Sequence, residues 1–150
     1  MTRSPGYLAL AVLTLAACKP AVSPSDPRIE NAWVRPAKAG SMSAAYFTIE
    51  QRGGDDRLLS VSADVGDASL HRSSNENGIA RMRPLPDGIA VPGNSTVALR
   101  PGGDHVMLMN LKTDLTAGDT VALRLQFERA GQKTVAAVVG NDEEAAHGGH

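Results

Sequence analysis

With 150 residues and 42% hydrophobic composition, the chain is long enough for one domain around one core and too short for two comfortable ones. A formal net charge of −1 leaves no basic footprint for nucleic acid, so that class of partner is excluded from the reading. The composition does not suggest disorder either.

Residues 1–17 read as a lipoprotein signal peptide. Arg3 supplies a positive start, Tyr7 to Ala17 a short apolar run, and Leu15-Ala16-Ala17-Cys18 has the form of a lipobox, cleaved just before a lipidated cysteine. The run is too short to cross a bilayer core of about 30 Å as a helix. Cys18 is the only cysteine; lipidation is its expected role, and a buried free thiol is the plainer alternative. If it is lipidated, the mature protein has no thiol for metal or disulfide chemistry. Lys19 stands where enteric bacteria often carry an aspartate for inner-membrane retention. The expected location is therefore the periplasm as a membrane-anchored lipoprotein, with the outer membrane favoured.

Residues 18–27, rich in proline and serine, read as a flexible tether. A folded domain is expected over 28–140. It starts with a strand at Ile29 to Val34, where Trp33 reads as a burial anchor. Pro36 to Ser43 is a loop, and Met42 within it reads as an exposed or packing side chain, with help to a metal site as the alternative. Ala44 to Glu50 alternates, and Arg57 to Val61 follows Gly53-Gly54-Asp55-Asp56, so these two are expected to form an antiparallel pair. The Asp55-Asp56 doublet reads as a solvated turn cap rather than a metal or acid/base pair.

Ala68 to His71 reads as a strand that ends in a histidine. Met82 lies beyond the turn signal Asn75-Glu76-Asn77-Gly78, so His71 and Met82 are expected on the two arms of a hairpin or long loop. Further strand signals fall at Ile89 to Val91 and Thr96 to Leu99. The turn Pro101-Gly102-Gly103-Asp104 then feeds His105 onto a strand whose period places His105, Met107 and Met109 on one face. Imidazole is a borderline ligand and thioether a soft one. A cluster of both without thiolate suits Cu(I) better than zinc, magnesium or calcium. Alternating strands at Thr120 to Glu128 and Lys133 to Val139 complete a set of seven or more short strands with glycine and proline turns, which argues for a β-sandwich. Residues 141–150 read as a flexible tail. Its His147 and His150 are incidental in the plainer reading, and a second, weaker Cu(II) site with nearby acids in the other.

The order His71, ten residues, Met82, twenty-two residues, His105-Val106-Met107 resembles the periplasmic PCu(A)C-type copper chaperones. It is embedded in Asn-Gly-Ile-Ala-Arg-Met-Arg-Pro and Leu-Arg-Pro-Gly-Gly-Asp-His-Val-Met-Leu-Met, and the resemblance runs from about Ile29 to Val139. The second gap is one residue longer than the family pattern, and Ser73 stands where many members carry a further methionine. Carried over position by position, the resemblance implies His71, Met82, His105 and Met107 as Cu(I) ligands on an all-β, cupredoxin-like Greek-key β-sandwich. It also implies delivery of copper to a partner, such as the binuclear copper centre of a cytochrome c oxidase subunit or a Sco-type chaperone.

Imidazole binds metal in its neutral form, so copper retention is expected to weaken as pH falls below the ordinary histidine value of about 6.5. Two other classes stand against this reading. The first is a non-metal structural or interaction β-sandwich lipoprotein, in which Met107 and Met109 fill the core and the histidine is an ordinary satisfied polar residue. The second is an enzyme, which is not expected: no Gly-x-Ser-x-Gly or His-Glu-x-x-His pattern is present.

Overall fold

The computed structural model describes residues 23–140 together with Thr2. Cys18, the signal-peptide stretch around it, and the tail with His147 and His150 lie outside the described residues. Ten strands follow one another: β1 (Pro27–Val34), β2 (Ser43–Gln51), β3 (Asp56–Ala63), β4 (Asp67–Glu76), β5 (Ile79–Pro84), β6 (Ile89–Val91), β7 (Ser95–Ala98), β8 (Asp104–Met109), β9 (Thr120–Phe127) and β10 (Gly131–Val139). There is no helix among the described residues.

The strands form one hydrogen-bonded path, β5-β4-β8-β2-β1-β10-β9-β3-β6, with β7 joining β2 beside β8. All pairs are antiparallel except β1 with β10. Consecutive strands lie far apart on this path at β2 to β3, β3 to β4, β5 to β6, β6 to β7 and β8 to β9, and the strands surround one main core. The result is the expected all-β, cupredoxin-like Greek-key sandwich. Val34, Phe47, Ile49, Leu58, Val106, Leu108, Leu123, Leu125 and Phe127 are among the side chains fully enclosed in its core. Burying each such side chain is worth about 1.5–3 kcal/mol.

Strand alternation explains why one half of the sheet can carry a site. On β2 the odd positions Ala45, Phe47 and Ile49 enter the core, so Ala44 and Tyr46 face outward. On β8 the core takes Val106 and Leu108, and His105, Met107 and Met109 face outward with Tyr46. At Asn31, φ is +51° and the pairing with β2 shifts between Glu30 and Trp33, a bulge that lets Ala32 and Val34 reach the core while Trp33 packs on Tyr46 outside it.

Two expectations are corrected. Strands β2 and β3 do not pair: β2 bonds to β1, β7 and β8, whereas β3 bonds to β6 and β9. The Gly53-Gly54 stretch between them serves close packing rather than a hairpin turn. A Cβ on Gly53 would fall on the carbonyl oxygen of Pro24, and one on Gly54 would fall on that of Ser23. Nor is Asp56 a solvated cap. It is buried, and its carboxylate accepts bonds from Ser25 Oγ (2.6 Å), Arg57 N (2.8 Å), Arg129 N (2.8 Å) and Ala130 N (3.0 Å).

The end of the stretch expected as a tether is thereby fastened to the domain. Asp26 N donates to Gln51 Oε1, Gln51 Nε2 to Ser25 Oγ, Gly54 N to Pro24 O, and Arg129 Nη2 to Ser23 O. Substitution Gly53→Ala is expected to cost about 1–3 kcal/mol as an overpacking change. Hydrogen exchange should then rise at residues 23–26 before it rises at β8.

Candidate metal centre

Four backbone features bring the sequence-predicted ligands together. Asn77 (φ +54°) and Gly78 (φ +79°) form the two-residue turn of the β4–β5 hairpin, with both central residues left-handed as a type I′ turn requires. The register places Ser73 opposite Met82 and His71 opposite Pro84. On its other edge β4 pairs with β8, with His71 opposite His105 and Ser69 opposite Met107. Directly opposed residues share a face, so His71, Ser73, Met82, His105 and Met107 all stand on the outer side of the sheet.

The turn ahead of β8 aims His105. Gly103 N donates to Arg100 O at 3.0 Å, with Pro101 and a left-handed Gly102 (φ +82°) between them, the pattern of a type II turn. The carbonyl of Gly103 then accepts from Ser73 N at 3.0 Å and from His105 Nδ1 at 3.1 Å. A carbonyl can only accept, so in the neutral ring Nδ1 carries the proton and Nε2 keeps a free lone pair.

His105 is only 3% exposed, and among the described residues its Nε2 is the buried side-chain polar atom left without a partner. Such an orphan costs about 1–3 kcal/mol. It also has the form of a metal-binding imidazole whose far nitrogen is held by a backbone carbonyl.

A cavity of about 340 Å³ opens at this point. Its lining includes His105, Met107, Met82, Met42, Tyr46 and Arg35. His71 stands beside it, half-buried, its ring centroid 6.1 Å from that of His105 and the two planes 23° apart. His71 Nδ1 lies 3.3 Å from Ser69 Oγ, a bond either group can donate. Met109 shares the outward face of β8 but lies opposite Asp67, two pairs farther along than Met107, and does not line the cavity.

The electrostatics are unusual for a divalent-metal site. No carboxylate lines the cavity, and the charged side chain that does is Arg35, whose guanidinium sits over the Tyr46 ring at 5.6 Å. Among the described residues no three His, Cys, Asp or Glu side chains gather in a metal-binding group. Neutral imidazole and thioether donors could hold a soft monovalent ion here, and they are a poor match for calcium, magnesium or structural zinc. Next to the histidines, Arg72 grips Asp104 through bonds of 2.6 and 2.9 Å, fastening β4 to β8 at the His71–His105 pair.

Sequence reasoning missed the wall behind His105. Tyr46 lies 6.3 Å from its ring, and Trp33 lies 4.6 Å from Tyr46. Burial pushes the Tyr46 hydroxyl pKa up, opposed by Arg35. Trp33 is the burial anchor that was expected, though in this small outer cluster rather than the main core. The alternation of Ala45, Phe47 and Ile49 carried the signal: it already assigns Tyr46 to the opposite face.

Residues 28–139 match the LpqE-like family, whose members are described as lipoproteins. The chain belongs to the LpqE-like family. This LpqE-like chain is 31% identical over 129 residues to Lxx21020 of Leifsonia xyli subsp. xyli, also described as a lipoprotein, covering 85% of this chain and 77% of that one. Similar solved structures include PCuAC domains. The copper-bound PCuAC domain from PmoF2 matches with a TM-score of 0.60 and 29% identity, over 75% of this chain and 91% of that domain. The Cu(I) form of DR1885 from Deinococcus radiodurans matches with a TM-score of 0.57 and 28% identity, over 74% of this chain and 77% of the other. The LpqE-like sandwich thus has the PCuAC fold implied by the resemblance.

Proposed function

We propose that this protein is an extracytoplasmic copper carrier that binds Cu(I) through His71, Met82, His105 and Met107 and surrenders it to a partner. The orphaned Nε2 of His105 carries the reading, since it is buried, proton-free and beside a cavity lined by thioethers. The alternative of an ordinary satisfied core histidine has no place for that atom. Copper in the PmoF2 domain and Cu(I) in DR1885 support the choice of ion.

Copper is cargo here. Two imidazoles supply much of the affinity, and the neutral thioethers supply selectivity over zinc and exchange readily, so the ion can pass to an acceptor one ligand at a time. The acceptor we favour is the binuclear copper centre of cytochrome c oxidase, reached directly or through a Sco-type chaperone.

Lipidation at Cys18 would also set the direction of delivery. Four residues separate Cys18 from the fastened Ser23, each spanning at most about 3.6 Å. That fastening sits at the Gln51 end of β2, whereas Met107 pairs with Ala44 at the other end, roughly 23 Å away along the strand. The copper site would then face away from the bilayer, toward a periplasmic acceptor domain.

The test is anaerobic Cu(I) titration of the full chain in detergent against a chromogenic chelator. One tightly bound equivalent is expected, with zinc failing to displace it. A chain that takes up no Cu(I), or releases it to zinc, would leave the structural lipoprotein as the better reading.

A further inference from the structure

Of the four methionines among the described residues, Met42 is the one that stands on a loop rather than on a strand. It is 65% exposed, more than any other large hydrophobic side chain among the described residues. Its backbone is nevertheless held on both sides. Gly40 N donates to Leu111 O at 2.7 Å, Leu111 N to Ser41 O at 3.4 Å, and Ser43 Oγ to Arg35 O at 2.6 Å, while Ser43 pairs with Leu108. The loop is therefore fixed and only the side chain is free, with three rotatable bonds and a polarisable sulfur at its end.

That side chain lines the same cavity as Met82, His105 and Met107. Met82, itself 51% exposed, reaches the cavity from the edge strand β5, and Met42 reaches it from the entrance to β2, with β4 and β8 between them. Two solvent-facing thioethers thus flank a floor made by His105 and Met107.

We propose that Met42 is an auxiliary Cu(I) ligand at the mouth of the cavity, which binds the ion transiently as it arrives or leaves; this rests on the copper reading of the site. Cu(I) has a filled d shell and accepts three or four neutral donors, so an incoming thioether can bind before an outgoing one departs. Met42 offers that extra donor on the protein side, and the acceptor then takes the ion from an already loosened site. No redox change or proton transfer is involved. A leucine at this position would keep the apolar surface and the volume but lose the sulfur.

The experiment compares the wild-type full chain with Met42→Leu in detergent, loaded with one equivalent of Cu(I). Stopped-flow transfer to a competing chelator is followed beside equilibrium affinity. The methionine methyl carbons are followed by NMR during the loading.

The expected result is a variant affinity within about threefold of wild type, transfer slower by roughly fivefold or more, and a Met42 methyl signal that moves with copper. Transfer at the wild-type rate overturns the inference while leaving the four-ligand site intact, as does slow transfer with an unmoved Met42 methyl, which would assign the mouth to chelator docking. A wild type that binds no Cu(I) removes the copper reading itself, and this inference with it.

Discussion

Replacing both Met82 and Met107 by alanine is expected to weaken Cu(I) binding by roughly 100-fold or more, since losing even an outer partner of a metal ligand costs about 10–100-fold. The fold should survive. Met82 lies on an edge strand whose residues are all exposed, and Met107 faces outward from β8 rather than into the core. Thermal unfolding of the copper-free double variant should therefore stay close to wild type, which separates loss of a site from loss of a structure. Equilibrium competition against a Cu(I) chelator is the readout. Unchanged affinity would remove the thioethers from the site and leave copper, if bound, to the imidazoles.

The largest expected effect on stability lies at the other end of the molecule. Asp56→Ala removes an acceptor that serves Ser25, Arg57, Arg129 and Ala130, and should cost about 2–4 kcal/mol, as expected for a buried charged acceptor with several partners. Burial alone would push the Asp56 pKa up; the hydrogen bonds from Ser25 and the three backbone amides outweigh it and leave the value lowered.

A lowered folded-state value means that this stabilisation is present above the ordinary aspartate pKa of about 3.9 and is lost as pH falls through the folded value. Wild-type stability should thus fall on the acid side, and Asp56→Asn should flatten that limb while lowering stability at neutral pH. Denaturant titrations at a series of pH values test this. An acid limb of unchanged slope in the variant would assign the acid sensitivity to other carboxylates.

Much of the architecture was legible because alternation is written residue by residue. The segments now seen as β6 and β9, the Asn77-Gly78 turn and the shared face of His105, Met107 and Met109 all follow from local pattern. Pairing between distant strands does not. The separation of β2 from β3 depends on Gly53 and Gly54 giving way to the backbone of Ser23 and Pro24, a contact between segments about thirty residues apart. The buried state of Asp56 depends on Arg129 and Ala130, more than seventy residues away.

The site shows the same division. Residue types and spacing marked His71, Met82, His105 and Met107, and the hairpin register explains how two of them approach the others. The lack of a partner for His105 Nε2 could not be read from sequence, because it depends on how the strands pack Tyr46 and the cavity around it. Nor could the placement of Met42 at the cavity mouth, which follows from the bonding of its loop to Leu111.

The most direct measurement is X-ray absorption at the copper edge of the Cu(I)-loaded full chain. The expected spectrum shows a three- or four-coordinate Cu(I) with imidazole nitrogen and thioether sulfur scatterers together, the sulfur contribution falling in Met107→Ala and the imidazole contribution in His105→Ala. A first shell of light atoms alone, or one unchanged by both substitutions, would contradict the site described here.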